Sequence, residues 1–123
     1  MTGVQAILDA LPSTIVNLCL DANWSDCRDE KDDALVQSVV RWLNRVPAVR
    51  LSLRGGQRAH LRRTIVPLFD ALKTNTTLER LDISYNWIGD YSAWRLAEAL
   101  RENKKLKRIS LDRNQITLVR DVM

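Results

Sequence analysis

Histidine occurs once in this chain and cysteine twice. That scarcity removes most catalytic and metal-binding chemistry at the outset. A Ser/His/Asp or Cys/His arrangement would have to use His60, and Cys19 is expected on the strand of a different unit. One histidine with Cys19 and Cys27, eight residues apart, has no zinc-ligand spacing. Two cysteines are also too few for a secreted disulfide framework. Glycine is sparse, with four in all, and the Gly55-Gly56 pair lacks the Lys-Ser/Thr sequel of a phosphate loop. The acidic stretch from Asp26 to Asp33 has no glycine in the sixth place and no closing glutamate, so it is no calcium loop and reads as a solvated loop. No apolar run approaches the roughly 18 residues that would cross a membrane. No basic region followed by an apolar stretch opens the chain, so no secretory leader is expected. The sequons at Asn23 and Asn75 read as chance matches. The expectation is a cytoplasmic protein that is no enzyme and has no cofactor and no metal.

Charge of one sign is not in large excess either. The net charge is +4, with acids interspersed, which falls short of a nucleic-acid signature. Arginine outnumbers lysine 14 to 5, and arginine suits bidentate contact with carboxylates and phosphates.

What the chain does have is a repeat. Leu78-Glu79-Arg80-Leu81-Asp82-Ile83-Ser84-Tyr85-Asn86 recurs 28 residues later as Leu106-Lys107-Arg108-Ile109-Ser110-Leu111-Asp112-Arg113-Asn114. Asp70 to Asn75 recurs as Glu98 to Asn103 at the same offset. A fixed period of this size marks a stacked solenoid, whose units bury their apolar faces only against each other. Within each copy, apolar residues alternate over a short run, giving a strand with one buried face. The asparagine ends the strand, where its amide can bond backbone groups at a turn. A helix must then return the chain to start a parallel neighbour.

The full spacing L-x-x-L-x-L-x-x-N-x-L is carried by Leu78, Leu81, Ile83, Asn86 and Ile88, and again by Leu106, Ile109, Leu111, Asn114 and Ile116. It resembles the leucine-rich repeat. The period resembles the ribonuclease-inhibitor-like subtype seen in tropomodulin-like and NOD-like receptor repeats. Two weaker upstream copies share the register. Leu51 and Leu53 precede Leu81 and Ile83 by 30 residues, with Gly56 at the asparagine place, and Leu18 and Leu20 lie 33 residues earlier still, with Asn23 in place. The resemblance implies one α/β domain over residues 1–123, a short solenoid of about four parallel strands with helices on the convex side. Repeats start near 15, 48, 78 and 106, residues 1–12 form a helical N-terminal cap, and the last repeat is truncated.

Element by element, the pattern predicts a helix over 3–11 with Val4, Ile7, Leu8 and Leu11 as its stripe. Strands follow near 15–20, 49–53, 79–83 and 107–111. Helices fill about 33–45, 62–74 and 91–102, the second delayed by Pro67 to a start near Thr64. The third is capped by Asp90, with Trp94, Ala97 and Leu100 facing inward. Trp42 and Trp94 read as packing residues.

In this register the outward strand positions form three columns: Asn17, Arg50, Arg80 and Arg108; Cys19, Ser52, Asp82 and Ser110; and Asp21, Arg54, Ser84 and Asp112. Parallel neighbours lie about 4.8 Å apart, so the column arginines crowd one another. They either form a solvated face neutralised by Asp21, Asp82 and Asp112, or a strip for a protein partner with an acidic surface. The candidate partner-binding residues are Arg50, Arg54, Arg80, Asp82, Tyr85, Trp87 and Arg108. Trp24 and Trp87 follow the turn asparagines, and burial against the helices is the competing reading for both. Ile116, Leu118, Val119 and Val122 form a second candidate, an assembly surface at the C-terminal end. The leading expectation is a non-enzymatic protein–protein interaction module. The alternative is a structural module that self-assembles through that end, or a fragment of a longer repeat protein. Tropomodulin-like resemblance adds a cytoskeletal setting, by fold analogy alone. Nucleic-acid binding ranks behind both, and no membrane association is expected.

Overall fold

The computed structural model describes residues 3–21, 29–56 and 61–116. The elements are α1 (Gly3–Ala10), β1 (Asn17–Cys19), α2 (Asp29–Arg45), β2 (Arg50–Ser52), a 3-10 turn (Arg62–Ile65), α3 (Val66–Leu72), β3 (Arg80–Asp82), α4 (Asp90–Glu102) and β4 (Arg108–Ser110). The four strands make one sheet in the order β1-β2-β3-β4, all parallel. The register places Leu18, Leu51, Leu81 and Ile109 side by side. That is the alignment the repeat offset requires, and it fixes a leucine-rich-repeat solenoid. Helices α1 to α4 form the second layer, each packed on the next.

The alternating strand pattern decides the core. Leu51, Leu53, Leu81 and Ile83 are buried on the helix side of the sheet, where they meet Val36, Val39 and Trp42 of α2, Leu68, Phe69 and Leu72 of α3, and Leu96 and Ala99 of α4. Full burial of one such aliphatic or aromatic side chain contributes about 1.5–3 kcal/mol. Trp42 is a core residue, as its helical spacing suggests.

Several boundaries differ from the sequence-based expectation. α2 starts at Asp29 rather than 33, so part of the acidic stretch read as loop is helix. Acidic residue types suit a first turn, where the helix dipole is positive. The strands are three residues long, and single backbone bonds extend each pairing, such as Leu53 N–H to the Asp82 carbonyl and Ile83 N–H to the Ser110 carbonyl. α3 carries Pro67 in its first turn, where proline is tolerated, behind the 3-10 turn. At α4 the cap is Gly89, and Asp90 is the first helical residue. The inward stripe of α4 is Ser92, Leu96 and Ala99, while Trp94 is 56% exposed and Ala97 is exposed. Ser92 is polar, so an apolar scan misses its stripe. In α1, Leu8 is buried but Ile7 is 58% exposed.

Asparagines stitch the units together. Asn86 is fully buried; its Oδ1 accepts from Leu61 N–H, and its Nδ2 donates to the carbonyls of Leu53 and Ile83. At the opposite end of each unit, Asn103 Oδ1 accepts from the N–H groups of Lys105 and Leu106, and its Nδ2 donates to Leu72 and Asn75 carbonyls of the preceding unit. Asn75 caps its own loop the same way, accepting from Thr77 and Leu78 N–H groups. Arg45 performs the backward reach for the first unit, donating to the Leu8 and Leu11 carbonyls that end α1. The Asn103 bond to Leu72 and the Arg45 bonds to Leu8 and Leu11 satisfy carbonyls that a helix terminus leaves unpaired.

Candidate functional site

The outward side of the sheet is a shallow groove of about 390 Å³, lined by residues of all four strands. Its backbone is fixed by the parallel pairing, so the columns follow directly. Asn17, Arg50, Arg80 and Arg108 are adjacent, as are Cys19, Ser52, Asp82 and Ser110. Arg50, Arg80 and Arg108 are exposed. The third column departs from expectation at Ser84, which is buried. The chain has begun its turn there, so strand alternation no longer applies.

Two of the three acids that could neutralise the arginines, Asp21 and Asp82, are turned to other work. Asp21 Oδ1 accepts from the Ser52 hydroxyl at 2.5 Å and from the Arg54 N–H at 3.0 Å. Burial pushes the Asp21 carboxyl up, but the hydrogen bonds from Ser52, the Arg54 backbone and Cys19, together with the Arg54 charge, hold it below its ordinary value. Asp82 Oδ1 accepts from the Ser84 N–H at 3.0 Å. Among the described residues, Arg50, Arg80 and Arg108 enter no ion pair. The ion pairs lie elsewhere, on the helices in Arg95–Asp70 at 2.7 Å and Arg41–Asp9 at 3.6 Å, and just before β3 and β4 in Lys107–Glu79 at 3.7 Å.

Beside the groove, where the chain leaves the strands, arginines stack on aromatic rings. Arg54 lies 5.0 Å from the Tyr85 ring centroid, Arg62 lies 4.7 Å from Trp87, and Arg63 lies 4.7 Å from Tyr91. Tyr85 and Trp87 have φ of 62° and 54°. The two left-handed residues flank the buried turn asparagine, and they leave Tyr85 half-buried and Trp87 exposed. Trp87 is 42% exposed, so burial against the helices is not its role; Trp24 lies outside the described residues.

Arg50, Arg54, Arg80, Asp82, Tyr85 and Arg108 therefore share one face with its rim, and Trp87 extends the rim. Sequence reading missed Arg62, Arg63 and Tyr91. Their signal was weak, because they lie in a loop and on a helix start with no shared period. Of the assembly candidates, Ile116 is half-buried, and Leu118, Val119 and Val122 lie outside the described residues, as does His60. Among the described residues no group of His, Cys, Asp and Glu suits a metal ion, and no helix is long and apolar enough to cross a membrane.

The geometry agrees with sequence comparison. A family model described as leucine rich repeat matches residues 74–91, which hold the strand β3, Asn86 and the start of α4. The fold is that of a short leucine-rich-repeat solenoid. Among curated proteins it is similar to Protein CARMIL of Dictyostelium discoideum, 31% identical over 121 residues that cover 95% of this chain and 12% of that protein. The chain thus spans about an eighth of that relative's length.

Proposed function

We propose that this chain is a non-enzymatic protein-interaction module that takes an acidic segment of a partner protein across its sheet face. The observation that carries this is the column of Arg50, Arg80 and Arg108 without an ion-pair partner among the described residues, while Asp21 and Asp82 accept from hydroxyl and backbone donors. Three adjacent guanidinium groups repel one another, and a carboxylate-bearing strand laid across them relieves that repulsion with charge-assisted bonds. Exposed surface on the concave side is also where solenoids ordinarily bind. Arg54 over Tyr85 and Arg62 over Trp87 would form an amphipathic rim for the same segment.

The resemblance to tropomodulin-like, ribonuclease-inhibitor-like repeats supports a cytoplasmic, cytoskeletal setting for that partner. Partner capture tests the reading. Arg50→Glu, Arg80→Glu and Arg108→Glu together should abolish capture without unfolding the chain, because all three side chains are exposed. Capture at the wild-type level would move the site off this face. Nucleic-acid binding would show as a steep salt dependence with any DNA or RNA.

A further inference from the structure

Two neighbouring arginines of one unit stack on aromatic rings of the next. Arg62 lies 4.7 Å from the Trp87 ring centroid, and Arg63 lies 4.7 Å from that of Tyr91. The repeat does not dictate this. At the 28-residue offset the places of Arg62 and Arg63 are held by Asp90 and Tyr91, and that of Trp87 by Gln115.

Both stacks stand on fixed backbone. Arg62 N–H donates to the Asn86 carbonyl at 2.8 Å, and Leu61 N–H donates to Asn86 Oδ1 at 3.1 Å. Trp87 sits between two buried residues, Asn86 and Ile88. Tyr91 is held at its hydroxyl, which accepts from Arg95 at 3.0 Å, while Arg95 also donates to Asp70 at 2.7 Å. A guanidinium laid on a ring keeps its N–H donors in its own plane. Less side-chain freedom is then lost when an anion binds.

Both arginines line one cavity of about 360 Å³, whose walls include Trp87, Gly89, Asp90 and Tyr91. Two cations thus face one acid, Asp90. Arg63 enters no ion pair among the described residues. Gly89 contributes no side chain, and a Cβ there would meet nothing within 4 Å. Trp87 is 42% exposed and Tyr91 45% exposed, so ring surface remains open beside the guanidinium groups.

We propose that this cavity takes a phosphorylated side chain of a partner protein. Asp90 opposes any anion here, so occupancy needs both arginine forks. A phosphate monoester serves both with its three terminal oxygens, whereas a carboxylate serves one. The open ring surface suits an apolar residue beside the phosphorylated one, which a free phosphate ion lacks. This site goes beyond the sheet-face reading. It shares Arg62 and Trp87 with the rim but uses none of Arg50, Arg80 and Arg108.

The test is fluorescence anisotropy of the full chain with a neutral peptide carrying one phosphoserine beside a leucine. This peptide should bind at least about tenfold more tightly than the same peptide with serine or glutamate in that place. Arg63→Gln, at an exposed position, should weaken binding by about tenfold or more at an unchanged urea midpoint. Arg63→Lys should not restore it, because the charge is kept but the fork is lost. Gly89→Leu should fill the cavity and block binding; the φ of −92° and ψ of −172° suit any L-residue, so this variant stays folded. Arg50→Gln, Arg80→Gln and Arg108→Gln together should leave the affinity within roughly threefold. Failure at this site and failure of the sheet-face reading are therefore separate results. Glutamate and phosphoserine peptides that bind alike overturn the proposal, as does wild-type affinity in Arg63→Gln or Gly89→Leu. No phosphopeptide binding up to about 1 mM overturns it too. So does displacement of the peptide by an equal concentration of inorganic phosphate or adenosine monophosphate, which would give the cavity to a small anion.

Discussion

The Oδ1 atom of Asn114 accepts the backbone N–H of Asn86 at 2.9 Å, and Asn86 holds the same place one unit earlier. Asn114 also accepts from Ile88 N–H and donates to the Ile83 carbonyl. Each turn asparagine thus closes its own turn and ties down the unit before it. Asn86 is fully buried and Asn114 is half-buried.

That difference predicts an order. Asn86→Ala strands buried donors and acceptors and should cost about 1–3 kcal/mol. Asn114→Ala should cost less, because water reaches the groups it leaves. Urea denaturation of both variants checks the order, and a larger loss at Asn114 would mean that the last turn is as well covered as the third.

The core follows the same gradient. Leu81→Ala should cost about 2–5 kcal/mol, as large-to-small changes in a packed core do. Ile109→Ala should cost less, since Leu81 is 1% exposed and Ile109 is only half-buried. A Leu81→Ala midpoint within error of the wild type would contradict the register.

Arg113 has φ of 58°, matching Tyr85 at 62° one unit earlier. A left-handed backbone costs an L-residue about 1–2 kcal/mol, partly offset by the greater unfolded-state freedom of glycine. Arg113→Gly should therefore stabilise by about 0.5 kcal/mol. Thermal denaturation reads this directly, and a clear loss of stability would assign the Arg113 side chain a contact that its exposure argues against.

Asp21 sets a pH dependence. Its carboxyl is held below the ordinary value of 3.8, so its contribution is fully present above that value and is lost as pH falls through the lower folded value. Between about pH 4 and pH 2 the wild type should lose more stability than Asp21→Asn. Equal slopes for the two proteins in that window would show that the hydrogen bonds from Ser52 and Arg54 do not favour the ionised form.

Much of the scaffold was legible in the chain itself, because a repeat is read by comparing the sequence with itself. Leu51, Leu81 and Ile109 align at fixed offsets, and alternation then orients every neighbour on the strand. The columns of Arg50, Arg80 and Arg108 follow from that without further information. Legibility fails where the period breaks. Ser84 is buried because the turn begins before the strand pattern ends. Trp94 faces outward because α4 packs through Ser92, a residue that apolar periodicity does not count. The rim of Arg62, Arg63 and Tyr91 depends on left-handed turns that bring separate loops together, and no spacing rule encodes it. Nor can a sequence show whether Asp82 pairs with an arginine or with the Ser84 N–H.

The most direct measurement of the central claim is amide chemical-shift mapping of the isotope-labelled chain during titration with an aspartate- and glutamate-rich peptide. The account predicts shifts concentrated at residues 50–54, 80–85 and 108–110, weakened by added salt and absent from the Arg50→Glu, Arg80→Glu, Arg108→Glu variant. Shifts confined to the helical layer, or shifts that persist unchanged in that variant, would contradict it.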